Sequence, residues 1–189
     1  MPLTNPPPDF ASTSLAALAE WAMGDRLPPV ADWHPAREGN IDIVIRADGR
    51  WFHEGGEITR PAMVRLFSRI LRRETDGSHV LVTPAEKLTI TVEDAPFLAV
   101  DLKVESPEKP LHLALKLNTG DSIIVGPDHP LVLRDGPAGR LPYLHVRTAG
   151  AGPLEARLSR PVYYAIADLA DADGMVTSNG VRFAFGDLA

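Results

Sequence analysis

Two arginines of this 189-residue chain stand where a helix is predicted to begin, a position that disfavours a cation. Arg60 and Arg160 are each followed by a proline, which suits the first turn of a helix, and then by an amphipathic stretch. The N-terminal end of a helix carries a partial positive charge, so each guanidinium needs a compensating partner. One alternative is an ion pair with a carboxylate, and the other is a bound anion such as a phosphate, which the planar guanidinium fork suits. The candidate carboxylates are Glu93, Asp94 and Asp187.

Two further groups of side chains in the first half are candidates for binding. Arg65 forms a like-charge pair with Arg69 four residues later, and this pair also needs compensation. In a strand, Trp51 and His53 would share one face and Phe52 the other, so at least one aromatic side chain is expected outside the first core. That side chain either packs against another element or faces a ligand.

A polar loop runs from Thr83 to Lys87 between two predicted strands. Its charged residues, Glu86 and Lys87, are either solvated turn residues or part of the rim of a pocket. The sequence does not decide between these two interpretations.

Composition and motifs exclude several other kinds of chemistry. The chain has no cysteine and a formal net charge of -6, which removes thiolate sites and argues against nucleic acid as the main partner. Its six histidines lack metal-ligand spacing on a helix, so we expect no metal site and no cofactor. Glu93 and Asp94 could be the carboxylate pair of a hydrolase, but adjacent strand residues face opposite ways. We therefore expect no catalytic residues.

The N-terminal sequence lacks the features of a signal peptide. No apolar run is long enough to span a bilayer. A cytoplasmic protein is the expectation.

The elements that position these residues occur twice, about one hundred residues apart. In each copy a predicted strand is followed by an Arg-Pro helix, an Asp-Gly turn and further strands. The apolar spacing predicts that the first helix includes Met63, Leu66, Phe67, Ile70 and Leu71. Arg69, Arg72 and Arg73 would then lie near its C-terminal end, which favours cations.

The fold class predicted from these patterns is α+β, with two diverged repeats of antiparallel strands and about one helix in each. Residues 1–35 are predicted to form a Pro-rich lead, an N-terminal helix and a linker. Residues 36–105 form the first β-rich repeat, and residues 106–189 form the second. Because pockets form preferentially at domain interfaces, we expect a ligand site between the repeats.

Several sequence blocks resemble a family of bacterial proteins, domain-of-unknown-function family 1285. The likeness covers nearly the whole chain after the linker, and its more specific parts are Thr-Pro-x-Glu-Lys at 83–87 and Val-Glu-Asp-x-Pro-Phe at 92–97. Other matching blocks are Gly49 to His53, Val64 to Phe67, Pro142 to Leu144 with Arg147, and Arg160-Pro161. Gly55-Gly56-Glu57 departs from the Gly-Ser-Pro of the family.

The resemblance implies a duplicated β-rich core whose second half is superficially similar to a pleckstrin-homology (PH) fold. It implies no established enzymatic activity. It also implies a ligand site between the halves, for a nucleotide-type molecule, and a role in signalling.

The leading hypothesis is a non-enzymatic module that binds a small anionic, nucleotide-like ligand between its repeats. The alternative is a protein-interaction module that uses the PH-like half to bind a protein partner. A hydrolase is the third hypothesis. The predicted ligand-binding residues are Trp51, His53, Arg60, Arg65, Thr83, Lys87, Arg147 and Arg160.

Overall fold

The computed structural model describes residues 27–105 and 111–186. The predicted Pro-rich lead and N-terminal helix, and Asp187, lie outside these ranges. Contacts within the chain define two compact units. Among the described residues, the first unit comprises those up to Val44, Phe52–Thr91 and Ala149–Gly152. The second comprises the described residues of Ile45–Trp51 and Val92–Thr148 and those from Pro153 onward. The domain limits predicted from the sequence stay predictions.

The first unit is built on a six-stranded sheet with one helix. The strands lie in the order β3-β2-β1-β6-β5-β4. Their bounds and that of the helix are β1 (Arg37–Ile45), β2 (Trp51–His53), β3 (Gly56–Glu57), α1 (Pro61–Arg69), β4 (Leu71–Arg73), β5 (His79–Val82) and β6 (Glu86–Val92). A 3-10 turn, Val30–Asp32, precedes the sheet.

Helix α1 begins where the sequence predicts and ends earlier. Pro61 occupies its first turn, and Leu66 and Phe67 are among its buried residues. The helix stops at Arg69, since Ile70 leaves the helical conformation and Leu71 pairs with Leu81 as part of β4. Ile70 and Leu71 are buried as predicted, but not on the face of a helix.

Two of the arginines assigned to the helix end, Arg72 and Arg73, therefore lie in strand β4. Arg73 pairs in parallel with Gly150, which is why Ala149–Gly152 belongs to the first unit. A Cβ at Gly150 would lie 2.5 Å from the Cγ of Arg72 and the backbone oxygen of Arg73. Glycine, with a φ of 77°, is needed for this close approach.

The second unit contains another six-stranded sheet and one helix. The strands lie in the order β10-β11-β12-β7-β8-β9, and two further strands, β13 and β14, form a separate hairpin. The bounds are β7 (Phe97–Glu105), β8 (His112–Leu117), β9 (Ser122–Ile124), β10 (Leu131–Gly136), β11 (Gly139–Ala149), β12 (Gly152–Leu158), α2 (Arg160–Ala167), β13 (Met175–Ser178) and β14 (Val181–Ala184).

The core of the second unit follows from alternation in its strands. Leu113, Leu115 and Leu117 of β8 are buried while Lys116 between them is exposed, as a sheet with one covered face requires. The β13–β14 hairpin is attached to this core by Ser178. Its hydroxyl donates to the carbonyl of Val125 at 2.7 Å and accepts from the N–H of Leu113 at 3.0 Å.

The described residues thus form two β-rich halves, each with a six-stranded sheet and one helix, as a duplicated domain would. Each half contains a long strand, a shorter strand, an Arg-Pro helix and a two-stranded hairpin, in that order. In the first half the hairpin β5–β6 joins the main sheet beside β1, whereas β13–β14 stands apart. Two β-rich halves with few helices are consistent with the predicted duplication. The prediction of antiparallel strands is wrong for one pair, because β12 pairs with β7 in parallel.

Candidate functional site

The first unit contains a cleft between one end of its sheet and the start of α1. Its volume is about 450 Å³, within the range of small-molecule pockets. Strand β1, the β2–β3 hairpin and the first two turns of α1 contribute its walls. The lining residues are Ile41, Ile43, His53, Gly56, Glu57, Ile58, Thr59, Arg60, Met63 and Phe67.

The interior of the cleft is apolar. Ile43 and Phe67 are buried, at 1% and 6% exposure, and Ile41, Ile58 and Met63 are half-buried. These five residues belong to a strand, a loop and a helix. The apolar interior therefore forms only after α1 has packed on the sheet. An apolar surface of this kind favours the apolar part of a ligand.

Every polar side chain that lines the cleft is exposed to solvent. His53, Glu57, Thr59 and Arg60 form this mouth. A two-residue turn places His53 there: it pairs with Gly56 across β2–β3, and the intervening Glu54 and Gly55 both have positive φ, 49° and 76°. Such a turn joins twisted antiparallel strands, and glycine at the second position favours it.

Arg60 is the residue at the mouth that most favours an anion. It precedes α1 as the N-cap residue, and the first turn of the helix contains no acidic residue. In the described part of the first unit, no carboxylate oxygen lies within 4 Å of its guanidinium. The helix start and Arg60 therefore contribute positive charge at the same place.

Three other predicted residues of the first repeat do not line the cleft: Trp51, Arg65 and Thr83. Trp51 is 1% exposed and its contacts assign it to the second unit, while Phe52 is buried in the first. Arg65 is half-buried on α1, and its carbonyl accepts from the Ser68 hydroxyl at 2.7 Å. Thr83 is buried, and its hydroxyl accepts from the N–H groups of Ala85 and Glu86 at 3.2 and 3.1 Å. Thr83 thus shapes the polar loop.

Lys87 belongs to a charge cluster at the same sheet. Its Nζ lies 2.8 Å from a carboxylate oxygen of Glu38 and 3.3 Å from one of Glu74. The hydrogen bond to Glu38 is the main reason that the pKa of Lys87 is raised. Glu74 also binds Arg72 at 2.6 Å. Lys87 does not line the cleft, and its predicted role in binding a ligand stays a prediction.

The predicted residues of the second unit do not line the cleft. The guanidinium of Arg147 lies over the ring of Phe97, 5.4 Å from its centre, a cation–π contact. Arg160 is the exposed first residue of α2, as the sequence predicts. The structure thus brings His53 and Arg60 together in one cleft. The predicted site between the repeats stays a prediction.

The sequence reasoning missed the partners of Asp94. This carboxylate has no exposed surface, and it accepts the Tyr143 hydroxyl at 2.8 Å and lies 3.4 Å from nitrogens of Arg134 and Arg157. Arg134 also lies 2.7 Å from an oxygen of Glu155 and stacks over the Tyr143 ring at 3.5 Å. Asp94 stands out in the sequence only as part of the Val-Glu-Asp-x-Pro-Phe block. Its partners lie 40 or more residues away along the chain, so no local pattern identifies them.

The two adjacent carboxylates at 93 and 94 bind different groups. Glu93 accepts the N–H of Ala47 at 2.9 Å, while Asp94 binds the two arginines. Asp94 is therefore engaged as an ion-pair partner of Arg134 and Arg157, and not of a helix-start arginine. Burial, together with the hydrogen bond to Asp94, raises the pKa of Tyr143 to about 12.

In residues 27–105 and 111–186, no three histidine or acidic side chains are grouped so that they could hold a metal ion. No helix in those ranges has the length and apolar character to cross a bilayer.

Comparison with known proteins relates both halves to one family. The N-terminal domain of DUF1285, a domain of unknown function, matches residues 28–95, and the C-terminal domain of DUF1285 matches residues 96–185. No curated protein matches the sequence.

Two solved structures are similar over much of the chain. One is a DUF1285 family protein from Silicibacter pomeroyi DSS-3, with 39% identity, a TM-score of 0.79, and coverage of 93% of this chain and 96% of that one. Another, from Shewanella baltica OS155, has 27% identity, a TM-score of 0.51, and coverage of 67% and 90%. With both family domains matched in order along the sequence, the chain belongs to the DUF1285 family.

Proposed function

We propose that the protein is a non-enzymatic module that binds a small anionic ligand in the cleft of the first unit. One observation carries the proposal: a cleft of about 450 Å³ has an apolar interior and an exposed arginine and histidine at its mouth. Pockets that combine an apolar interior with a few polar groups are typical ligand sites. The position differs from the predicted site between the repeats, although His53 and Arg60 belong to both.

The electrostatics of Arg60 support an anion over a neutral ligand. A guanidinium beside a helix N-terminus is unfavourable on its own, because both carry positive charge. A bound carboxylate or phosphate would remove this repulsion and form charge-assisted hydrogen bonds with the guanidinium fork. His53 at the same mouth can donate or accept a further hydrogen bond.

The test is a thermal-shift screen of the full chain with nucleotides, inorganic phosphate and organic acids. At one hundred times its dissociation constant a ligand stabilises by about 2.7 kcal/mol, or about 5 to 10 °C for a chain of this size. Arg60→Gln should abolish the shift, whereas Arg140→Gln, a change of another exposed arginine, should leave it intact. A panel with no shift, or a shift unaffected by Arg60→Gln, contradicts the proposal.

Arg160→Gln distinguishes this cleft from a site between the repeats. If the ligand lies in the first-unit cleft, this variant binds as the wild type does. If both helix-start arginines contact the ligand, Arg60→Gln and Arg160→Gln weaken binding to similar extents, and the proposed location is wrong.

The finer parts of the functional hypothesis stay predictions. They are a nucleotide-like ligand, a role in signalling or regulation, the likeness of the second half to a PH fold, a protein partner bound by that half, and a cytoplasmic location. Binding of an anion in the cleft requires none of them.

A further inference from the structure

We propose that the ligand of the first-unit cleft is a monocarboxylic acid with an apolar chain or ring, bound with its carboxylate at Arg60. This inference rests on the proposed function, because it names the chemical class that the same cleft would hold.

The interior of the cleft offers few hydrogen-bonding side-chain groups. The five interior side chains are three isoleucines, a methionine and a phenylalanine. A nucleobase inserted among them would leave its ring N–H and C=O groups unpaired, which disfavours binding. An alkyl chain or a phenyl ring would bind favourably there, because its apolar surface is removed from water. The interior therefore selects an apolar body.

The charge at the mouth matches a single negative charge. In the described part of the chain, Arg60 is the one lysine or arginine that lines the cleft, and Glu57 is the one carboxylate. A carboxylate can bind a guanidinium through two parallel hydrogen bonds. A nucleoside polyphosphate would bring several charges beside Glu57, with one arginine to compensate them. A monoanion fits this mouth better.

The start of helix α1 does not form a phosphate cradle. Phosphate sites at helix starts use several free backbone N–H groups. Here Pro61 has no N–H, and the N–H groups of Met63 and Val64 already donate to the carbonyl of Arg60 at 3.0 and 3.2 Å. The anion must therefore be bound mainly by the Arg60 side chain, which suits a carboxylate.

Calorimetric titration of the full chain with four probes tests this class. Octanoate should bind, while octan-1-ol, AMP and inorganic phosphate should each bind at least tenfold more weakly. Arg60→Gln should reduce octanoate affinity at least tenfold, to the level of octan-1-ol, because the carboxylate loses its partner. Arg140→Gln should leave all four affinities unchanged.

A second pair of variants tests the apolar interior. Met63→Gln places a polar amide in the cleft and should weaken octanoate and octan-1-ol by similar factors. Ala62→Gln, on the neighbouring exposed position outside the lining, should change neither. Circular dichroism of each variant checks that α1 is retained.

The outcomes separate this inference from the proposed function. Tighter binding of AMP or phosphate than octanoate, lost in Arg60→Gln, overturns the carboxylic acid and leaves the anion-binding cleft standing. Equal affinity for octanoate and octan-1-ol, or binding that Met63→Gln does not weaken, also overturns this inference. If none of the four probes binds, or none depends on Arg60, both the inference and the proposed function fail.

Discussion

Each half of the molecule contains a charge cluster, and the two clusters differ in how deeply they are buried. The first-unit cluster is Arg72 with Glu74 and Lys87, and the second-unit cluster is Asp94 with Tyr143, Arg134 and Arg157. The carboxylate of Glu74 keeps 22% of its surface exposed, whereas that of Asp94 has none. The first cluster remains in contact with water, and the second depends almost entirely on protein partners.

The two clusters also act differently within their halves. Arg72 donates to the carbonyls of Val30 and Trp33, at 3.0 and 2.6 Å, so the first cluster attaches the 3-10 turn to the edge strand β4. Asp94 instead lies between β6 and β7 and is neutralised by arginines of β10 and β12. One cluster fastens a segment and the other neutralises a buried charge. Removing the buried carboxylate should therefore cost more stability.

The largest effect is expected for Asp94→Ala. This change leaves the Tyr143 hydroxyl without its acceptor and two arginines without their shared carboxylate, so the free energy of unfolding should fall by about 3 to 5 kcal/mol. Urea denaturation followed by circular dichroism measures it. Asp128→Ala, which removes an exposed carboxylate of the same unit, should change stability by less than about 0.5 kcal/mol. A loss below about 1 kcal/mol for Asp94→Ala would show that the second-unit cluster does not contribute more to stability than the first-unit cluster.

Arg72→Met should have the next largest effect. The methionine keeps much of the apolar stem but leaves two carbonyls without their donor and removes one of the two cations that pair with Glu74. The loss should cost about 2 to 3 kcal/mol. Arg37→Met is the matched control, because Arg37 is 79% exposed and its ion pair with Glu86 is 3.6 Å long, so the loss should be about 0 to 1 kcal/mol. Equal losses for the two variants would contradict the role assigned to Arg72.

The sequence predicts the local elements well and the long-range clusters poorly. The start of α1 depends on Pro61, and the turn between β4 and β5 depends on Asp76-Gly77. The backbone preferences of these residues act within a few positions. The predicted end of α1 is wrong because Ile70 and Leu71 continue the helical spacing of apolar residues. In the structure both side chains are buried, but Ile70 precedes strand β4 and Leu71 belongs to it. Pairing with Leu81 decides the outcome, and no local pattern shows it.

In the candidate site, too, the sequence predicts what depends on local structure and misses what depends on long-range packing. Arg60 lines the cleft and could be predicted, because the helix dipole that disfavours a cation there depends only on neighbouring residues. Ile58 and Met63 could not be predicted as site residues, because their place in the cleft depends on how α1 packs against β1. Arg160 satisfies the same local argument, yet it does not line the cleft of the first unit. Arg-Pro at a helix start is therefore insufficient evidence for a site.

A smaller, pH-dependent effect is expected for Tyr143→Phe. Loss of the hydrogen bond to Asp94 should cost about 1 kcal/mol at neutral pH. The folded-state pKa of about 12 lies above the value of about 10 expected after unfolding, so the unfolded chain releases this proton first as pH rises. The contribution of Tyr143 is therefore complete below pH 10 and decreases toward pH 12. The stability difference between wild type and variant, measured by urea denaturation, should shrink over that interval, and a difference that grows would contradict it.

The smallest effect is expected for Glu74→Gln, and it tests the more exposed cluster in acid. Burial acts to raise the pKa of Glu74, but its hydrogen bonds and ion pairs with Arg72 and Lys87 outweigh burial, so the pKa is lowered. A lowered pKa means that the folded chain releases this proton more readily than the unfolded chain, so Glu74 stabilises the fold above its unfolded pKa of about 4.3. That contribution is lost as pH falls through the folded value. The wild type should therefore lose more stability than Glu74→Gln between pH 5 and the acid limit of a thermal-denaturation series. Parallel curves for the two proteins would mean that solvent, and not the cluster, compensates the charge of Glu74.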